Sequence, residues 1–346
     1  MKLRVGIIGC GMITKVRHAP EYAENGNCEI VAFYDKDETR AKALAEEYGA
    51  ECCTSVDELL ALDIDAVSVC VANAQHAEIT IRALEAGKHV LCEKPMAVTL
   101  DECIAMVEAA ERTGKILMIG HNQRYAKAHQ KAHELIKEGA IGKVLSFETK
   151  FGHGGPEIWT GTGNTWFFDK KQAGFGAMAD LGIHKTDLIH YLIEEPITSV
   201  YAIINTLDKC YPDGSPIGVD DNAFCLMQTD SGVTGILHAS WTFYGNEKNS
   251  AVIYGTGGVI RCYDDDNYSL ILEQKGGEVI KYELEKLYKN EDQTLGDRNN
   301  TGVIDEFVSS ILENREPLSS GKEALKAMRV IFAAKESAET GKKIHI

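Results

Sequence analysis

Leu3-Arg4-Val5-Gly6-Ile7-Ile8-Gly9-Cys10-Gly11-Met12-Ile13-Thr14 opens the chain as a short apolar strand running straight into a glycine turn, with a segment suited to helix continuing to Glu24. In such a turn the first glycine permits the sharp bend and the second lets backbone approach a pyrophosphate. The helix N-terminus then offers unpaired N–H groups and a favourable dipole. Here those amides belong to Met12 and Ile13. Thr14 stands where a third glycine is usual, and a small residue still allows helix and strand to pack. The pattern is a dinucleotide fingerprint with one departure, and its context decides its worth. Glu29 to Tyr34 reads as a second strand ending at Asp35, where a carboxylate can accept from both adenosine ribose hydroxyls. A 2′-phosphate would face that carboxylate in a partly desolvated cleft, so NAD is expected in preference to NADP. Lys36 and Arg40 lie close enough in sequence to reach a phosphate, and Arg40 equally suits the adenine face or a solvated helix.

Outward from this unit, strands and helices alternate. Asp37 to Tyr48 reads as a helix stopped by Gly49, Cys52 to Thr54 as a brief strand, and Val56 to Leu62 as a helix. Asp65 to Ala72 is a fourth strand leaving through Asn73-Ala74-Gln75-His76, with a helix beyond it to Glu85. His89 to Cys92 is apolar enough for burial on both faces, and charge appears abruptly at its end in Glu93-Lys94-Pro95. Proline pushes the residue before it into an extended conformation, so Lys94 leaves the sheet on a stiff, aimed backbone. Thr99 caps a helix from Leu100 to Arg112, and Ile116 to Gly120 forms another strand that leaves through His121 to Tyr125. The pattern predicts a doubly wound parallel sheet, whose ligands bind beyond the strand carboxyl ends. Cofactor contacts are expected from Gly9, Gly11, Met12, Ile13, Asp35, Lys36, Arg40, Asn73, His76, Glu93, Lys94 and Asn122.

The second half reads differently. A helix from Lys127 to Glu138 carries His129 and His133 one turn apart, but no acidic third ligand is evident, so a solvated face is expected and no metal. Val144 to Phe151 is a strand, followed by a glycine- and aromatic-rich loop with His153, Trp159, Trp166, Phe167 and Phe168. Such a loop serves as a functional lid or as a packed corner. Gly174 to Leu188 then leads into a helix through Ile193, on which Asp180 and His184 share a face. Histidine exchanges a proton near neutral pH, and a carboxylate one turn away can fix its tautomer or bind substrate. From Ser199 to Cys262 strands follow one another without helices, which predicts an antiparallel sheet with one helix-covered face. Asp264-Asp265-Asp266-Asn267 lacks the glycine and glutamate of a calcium loop and reads as a turn. Asn299 to Asn314 and Lys322 to Thr340 read as closing helices. The expected fold class is thus α/β, with residues 1–122 as an NAD(P)-binding domain and 123–346 as a second domain around a large, mostly antiparallel open sheet.

At 346 residues the chain is long enough for two cores, and its formal charge of -16 argues against nucleic acid or an anionic membrane as partner. No apolar run approaches the ~20 residues of a membrane span, and the N-terminus enters a strand at Leu3. A soluble, cytoplasmic protein is expected. The ten cysteines are scattered without a Cys-x-x-Cys, which suits reduced, buried thiols.

Taken together, the glycine turn Gly9 to Thr14, Glu93-Lys94-Pro95, Gly174 to Asp187, Glu306-Phe307 and Ser337 to Gly341 resemble, in order and spacing over nearly the whole chain, the Gfo/Idh/MocA family. That family is named for glucose-fructose oxidoreductase, inositol dehydrogenase and the rhizopine-catabolism enzymes. The resemblance implies a Rossmann domain and catalytic positions at Lys94, Asp180 and His184. It also assigns substrate binding and oligomerisation to residues 123–346, with homodimers or homotetramers formed through the open sheet. Val71-Ala72-Asn73 stands where the family commonly has Thr-Pro-Asn, a departure at the nicotinamide contacts. The implied enzyme is an NAD(P)-dependent dehydrogenase acting on CH–OH groups, moving a hydride between a secondary hydroxyl of a sugar, glycoside or cyclitol and the nicotinamide. Lys94, Arg124, His153, Trp166, Asp180 and His184 are the expected substrate contacts. An alternative is non-redox glycoside cleavage or epimerisation through transient oxidation with retained NAD. A dinucleotide-binding regulator without turnover fits less well, since it has no need of Lys94, Asp180 and His184 together.

Overall fold

The structure, a computed structural model, describes residues 2–287 and 300–346, which fall into two compact units. The first holds residues 2–122 and 300–325, the second 123–287 and 326–346. Residues 300–325, expected with the second domain, cluster with the first. Thr301 donates to Glu21 Oε1 through its amide at 3.1 Å and its hydroxyl at 2.9 Å, and the Ser319 hydroxyl donates to Ile119 O at 2.8 Å.

In the first unit β1 (Leu3–Ile8), β2 (Cys28–Tyr34), β3 (Glu51–Cys52), β4 (Ala66–Val69), β5 (His89–Cys92) and β6 (Leu117–Ile119) form one sheet in the order β3-β2-β1-β4-β5-β6. Every pairing is parallel, and Val5, Ile7 and Ile8 are fully buried, as a strand covered by helices on both faces requires. The order reverses between β1 and β4, which is where a doubly wound sheet opens its ligand crevice. Gly9 leaves β1 with φ +96, and a Cβ there would lie 2.4 Å from Cys70 O beyond the end of β4, so only glycine fits. Thr99 and Glu102 form a reciprocal cap on the helix Leu100–Thr113.

In the second unit β7 (Val144–Gly152), β8 (Ile197–Asn205), β9 (Asn222–Thr229), β10 (Thr234–Ser240), β11 (Lys248–Gly255), β12 (Gly258–Cys262), β13 (Leu270–Gln274), β14 (Val279–Tyr282) and β15 (Ile344–His345) form a second sheet. Its order is β14-β13-β12-β11-β7-β10-β9-β8-β15, antiparallel except for β10 beside β7. The last three strands were not anticipated. Asp265 Oδ1 accepts from the amides of Asn267 and Tyr268, so the acidic run is a turn between β12 and β13. Alternation places Ala202, Cys225 and Leu237 on the covered face, where Ala202 N donates to Ser337 Oγ of the closing helix Gly321–Thr340. Tyr201, Ile203, Phe224, Leu226 and Ile236 on the opposite face are 41 to 55% exposed. The helix expected from Asn299 runs Val303–Leu312, and Asn299 itself lies outside the described residues.

Candidate active site

The glycine turn is braced by the acidic residue expected to read the ribose. Asp35 Oδ2 accepts from Cys10 N at 2.6 Å and Oδ1 from Asp37 N at 2.8 Å. The Thr14 hydroxyl donates to Gly9 O at 2.6 Å, so the departure from a third glycine closes the turn with a hydrogen bond. A Cβ on Gly11 would meet nothing within 4 Å, and the adjoining helical run begins at Met12. Open space before unpaired helix amides, beside a half-buried carboxylate, fits the pyrophosphate and ribose of a dinucleotide. Asn122 Oδ1 is buried without a hydrogen-bond partner among the described residues, and Asn73 is buried at the start of the turn Asn73–Gln75. Lys36 and Arg40 are exposed, with Arg40 Nε 3.2 Å from Asp37 Oδ2.

Half-buried Lys94 follows β5 on a cis Lys94–Pro95 bond. Its amide donates to Glu93 Oε2 at 3.2 Å, while Glu93 Oε1 lies 2.8 Å from His18 Nε2. His18 Nδ1 is 3.1 Å from Ser68 Oγ, which in turn is 2.9 Å from Tyr22 OH. Burial alone would raise the Glu93 carboxyl, but His18 and Lys94 hold it down at about 2. Burial would lower His18, and Cys70 and Glu93 outweigh it, leaving the imidazole well above its ordinary range. On the other side of the turn His76 Nδ1 donates to Pro95 O at 2.8 Å, and its Nε2 lies 3.1 Å from Val71 O. Burial lowers its pKa. Glu93 and His76, expected on the cofactor, therefore have their polar atoms engaged inside the protein, where they hold the backbone around Lys94.

The second unit gathers Asp180, His184, His153 and Trp166 among aromatic rings. Asp180 lies in the wide helical turn Met178–Gly182 that leads into the helix Ile183–Ile193 carrying His184. Trp241, fully buried, donates from Nε1 to Asp180 Oδ2 at 3.1 Å. The His184 ring is 5.8 Å from that of Phe151, which is 6.0 Å from His153, itself 4.8 Å from Trp159. Trp166 stacks on Phe167 with centroids 4.0 Å apart. Gly155 N donates to His153 Nδ1 at 3.0 Å, leaving the ring proton of the neutral form on Nε2. The start of the Asp180 segment is held by Asp220, whose two oxygens accept from Gly176 N and Met178 N, each at 2.8 Å. Burial raises the Asp220 carboxyl. Asp221 accepts from the amides of Leu207, Asp208 and Lys209, and Lys209 Nζ donates to Gly154 O and Glu157, so the aromatic loop is tethered too.

Arg124, expected to contact substrate, is buried and paired within its own unit. It is 3% exposed and grips Asp187 bidentately, at 2.8 and 2.7 Å, while its neighbour Gln123 accepts from buried Lys185 Nζ at 3.0 Å. Burial pushes that ammonium down to about 7. Both contacts anchor the helix of His184. On the helix expected to show a solvated face, His129 departs from that expectation and His133 is half-buried. His129 is fully buried with Nδ1 donating to Gln123 O at 2.8 Å, and burial lowers it to about 3, whereas His133 Nε2 lies 2.8 Å from Glu194. Among the described residues no cluster of three metal-ligating side chains occurs. Sequence reading missed His18, Trp241 and Asp220. Only His18 left a local signal, a polar ring on the inner side of a short helix.

Residues 3–121 match an oxidoreductase family, GFO_IDH_MocA, described as an NAD-binding Rossmann fold, and residues 129–261 match the GFO/IDH/MocA C-terminal domain. The chain belongs to this family. It is an oxidoreductase with NAD as its cofactor. D-glucoside 3-dehydrogenase of Escherichia coli (strain K12) is 28% identical over 99% of this chain and 97% of its own. Levoglucosan dehydrogenase of Pseudarthrobacter phenanthrenivorans is 31% identical over 75% of this chain and 73% of its own. The solved structure of levoglucosan dehydrogenase in complex with NADH and L-sorbose superposes with a TM-score of 0.87 at 27% identity, covering 100% of this chain and 99% of the other.

Proposed function

We propose that this protein oxidises a secondary hydroxyl on a sugar, glycoside or cyclitol ring. The observation that carries the reading is Lys94, leaving the carboxyl end of a parallel strand on a backbone braced by Glu93 and His76, in an oxidoreductase whose relatives include glucoside and levoglucosan dehydrogenases. NAD, when bound, accepts the hydride from the carbinol carbon. Gly9, Gly11, Met12, Ile13, Asp35, Asn73 and Asn122 would hold it. Lys94 steadies the substrate oxygen as negative charge develops, and His184 takes the hydroxyl proton. Asp180, its carboxylate oriented by Trp241, binds a neighbouring hydroxyl or orients the base. His153 and Trp166 offer ring faces and edges to the apolar side of a sugar ring.

The exposed row Tyr201, Ile203, Phe224, Leu226 and Ile236 is contiguous through the strand register, and an apolar sheet face of this kind supports homodimers or homotetramers. Among the described residues no helix is long and apolar enough to cross a membrane, and ten free cysteines, eight of them buried, suit the reducing cytoplasm. Light scattering should report an oligomer that Leu226→Asp dissociates.

The deciding assay follows reduced-nicotinamide absorbance with NAD or NADP and a panel of myo-inositol, D-glucose, methyl β-D-glucoside and levoglucosan, with mass spectrometry of products. NADH together with a ketone is the expected outcome. A cleaved or epimerised glycoside without NADH would overturn the reading in favour of a cofactor that cycles in place.

A further inference from the structure

We propose that His18 is a positioning residue for Lys94, acting through the Glu93 carboxylate. This inference rests on the assignment of Lys94 to the reacting oxygen. His18 sits in the wide turn Thr14–His18 of the first helical run, where Ala19 N bonds to Thr14 O, five residues back. Thr14 and His18, four apart in this turn, both face inward, at 0% and 2% exposure. Wide turns of this kind gather at functional sites. One end of the turn is fixed by the Thr14 hydroxyl on Gly9 O, and the other reaches Glu93 Oε1 at 2.8 Å.

The carboxylate is confined on every side that matters to its neighbour. His18 Nε2 holds one oxygen, the Lys94 amide donates to the other at 3.2 Å, and a Cβ on Gly120 would come within 3.1 Å of Oε1. His18 is itself oriented by Ser68 Oγ at 3.1 Å, and Ser68 by Tyr22 OH at 2.9 Å. A buried ion pair is a poor source of stability compared with well-packed apolar side chains. Its value lies in direction, because a charged pair locks one geometry that apolar packing does not specify. Here the locked atom is the amide of the lysine itself. The same helical run that presents its first amides to a pyrophosphate thereby sets where the Lys94 backbone leaves β5. Displacement of a reacting group by ~1 Å can cost about 100-fold in rate, so the pair is placed to matter.

The test compares His18→Gln, Glu93→Gln and Lys94→Ala with the parent, using the panel sugar the parent oxidises fastest, unlabelled and deuterated at the oxidised carbon. For His18→Gln, which retains an amide donor but no charge, kcat should fall roughly 10- to 100-fold. KM and the dissociation constant of NADH should stay within about twofold, and the deuterium isotope effect on kcat should rise as hydride transfer becomes limiting. Glu93→Gln removes the charge from the other partner and should show the same split, which keeps the test intact where His18→Gln folds poorly. The proposal is overturned where both variants turn over at the parent rate while Lys94→Ala does not. It is overturned equally where kcat falls only in step with the folded fraction at an unchanged isotope effect. Lys94→Ala turning over like the parent is the separate result that removes the reading beneath it.

Discussion

The cluster around Lys94 and the cluster around His184 are built on the same local device and walled in opposite ways. Each has a wide helical turn, Thr14–His18 in the first unit and Met178–Gly182 in the second, that turns a polar side chain toward the interior. Around Lys94 the neighbours are charged or strongly polar: Glu93, His18, Ser68 and Tyr22. Around His184 and Asp180 they are rings, with Phe151 and Trp241 in contact and His153 and Trp159 beyond. Charge at short range fixes a point, whereas packed rings define a shape. On the proposed assignment, the first cluster would place one cation and the second would shape the wall against a substrate ring.

The largest effects should therefore come from the point. Lys94→Ala should lower kcat by about 1,000-fold, the loss expected when a donor to developing oxyanion charge is removed, with NADH binding little changed. Trp166→Ala should act mainly on KM and on the ranking of panel sugars. Steady-state kinetics across the panel would break the comparison if Trp166→Ala lost kcat as heavily as Lys94→Ala.

Next in size is the strut behind the rings. Arg124→Ala leaves Asp187 charged and buried, at 1% exposure, and should cost about 3 to 5 kcal/mol in urea unfolding. Arg124→Lys should recover only part of this, since an ammonium cannot reproduce the two-pronged contact at 2.8 and 2.7 Å. Full recovery by lysine would mean that charge, not geometry, anchors the His184 helix.

A smaller effect separates the two clusters by pH. Glu93 titrates at about 2 in the folded protein, below its ordinary 4.5, with His18, Lys94 and Arg17 as the charges facing it. The stability it contributes is present above about pH 4.5 and is lost as pH falls toward 2. His18, raised, contributes below its ordinary value of about 6.5, and that stability is lost as pH rises through its folded pKa. Urea midpoints at pH 5, 4 and 3 should fall less steeply for Glu93→Gln than for the parent. Equal slopes would show the pair to be uncharged.

What was legible in the sequence follows the same division. The places of the glycine turn, Asp35 and Lys94 at strand ends were readable because each depends on neighbours in the chain: a strand before, a helix or proline after. Asp180 and His184 were readable as a spacing. Their supports were not, because Trp241 reaches Asp180 across 61 positions and Asp187 meets Arg124 across 63, and nothing local marks either partner. The internal partners of Arg124 and His76 were not legible, for one reason. A polar residue at a strand exit looks like a ligand contact until burial shows its hydrogen bonds closed within the fold. The strands β13 to β15 escaped notice because their pairing is supplied by the sheet they join.

The smallest effect is the sharpest probe of the ring-walled cluster. Trp241→Phe keeps a ring near Phe168, whose centroid is 6.0 Å away, but removes the Nε1 donor to Asp180 Oδ2 and, from a fully buried site, part of the indole ring. One hydrogen bond to a carboxylate contributes about 1.5 to 3 kcal/mol, less where water can replace it. Asp180 is only partly buried, so the lower end applies, and kcat/KM of the folded enzyme should fall about tenfold, while the cavity lowers the unfolding midpoint separately. If the loss appears in KM alone, Asp180 holds the substrate. If it appears in kcat alone, the carboxylate orients the base, and Trp241 belongs with His18 as a group that acts through a charged neighbour. The second result would bring the two clusters together, each a charged residue aimed by a buried ring nitrogen.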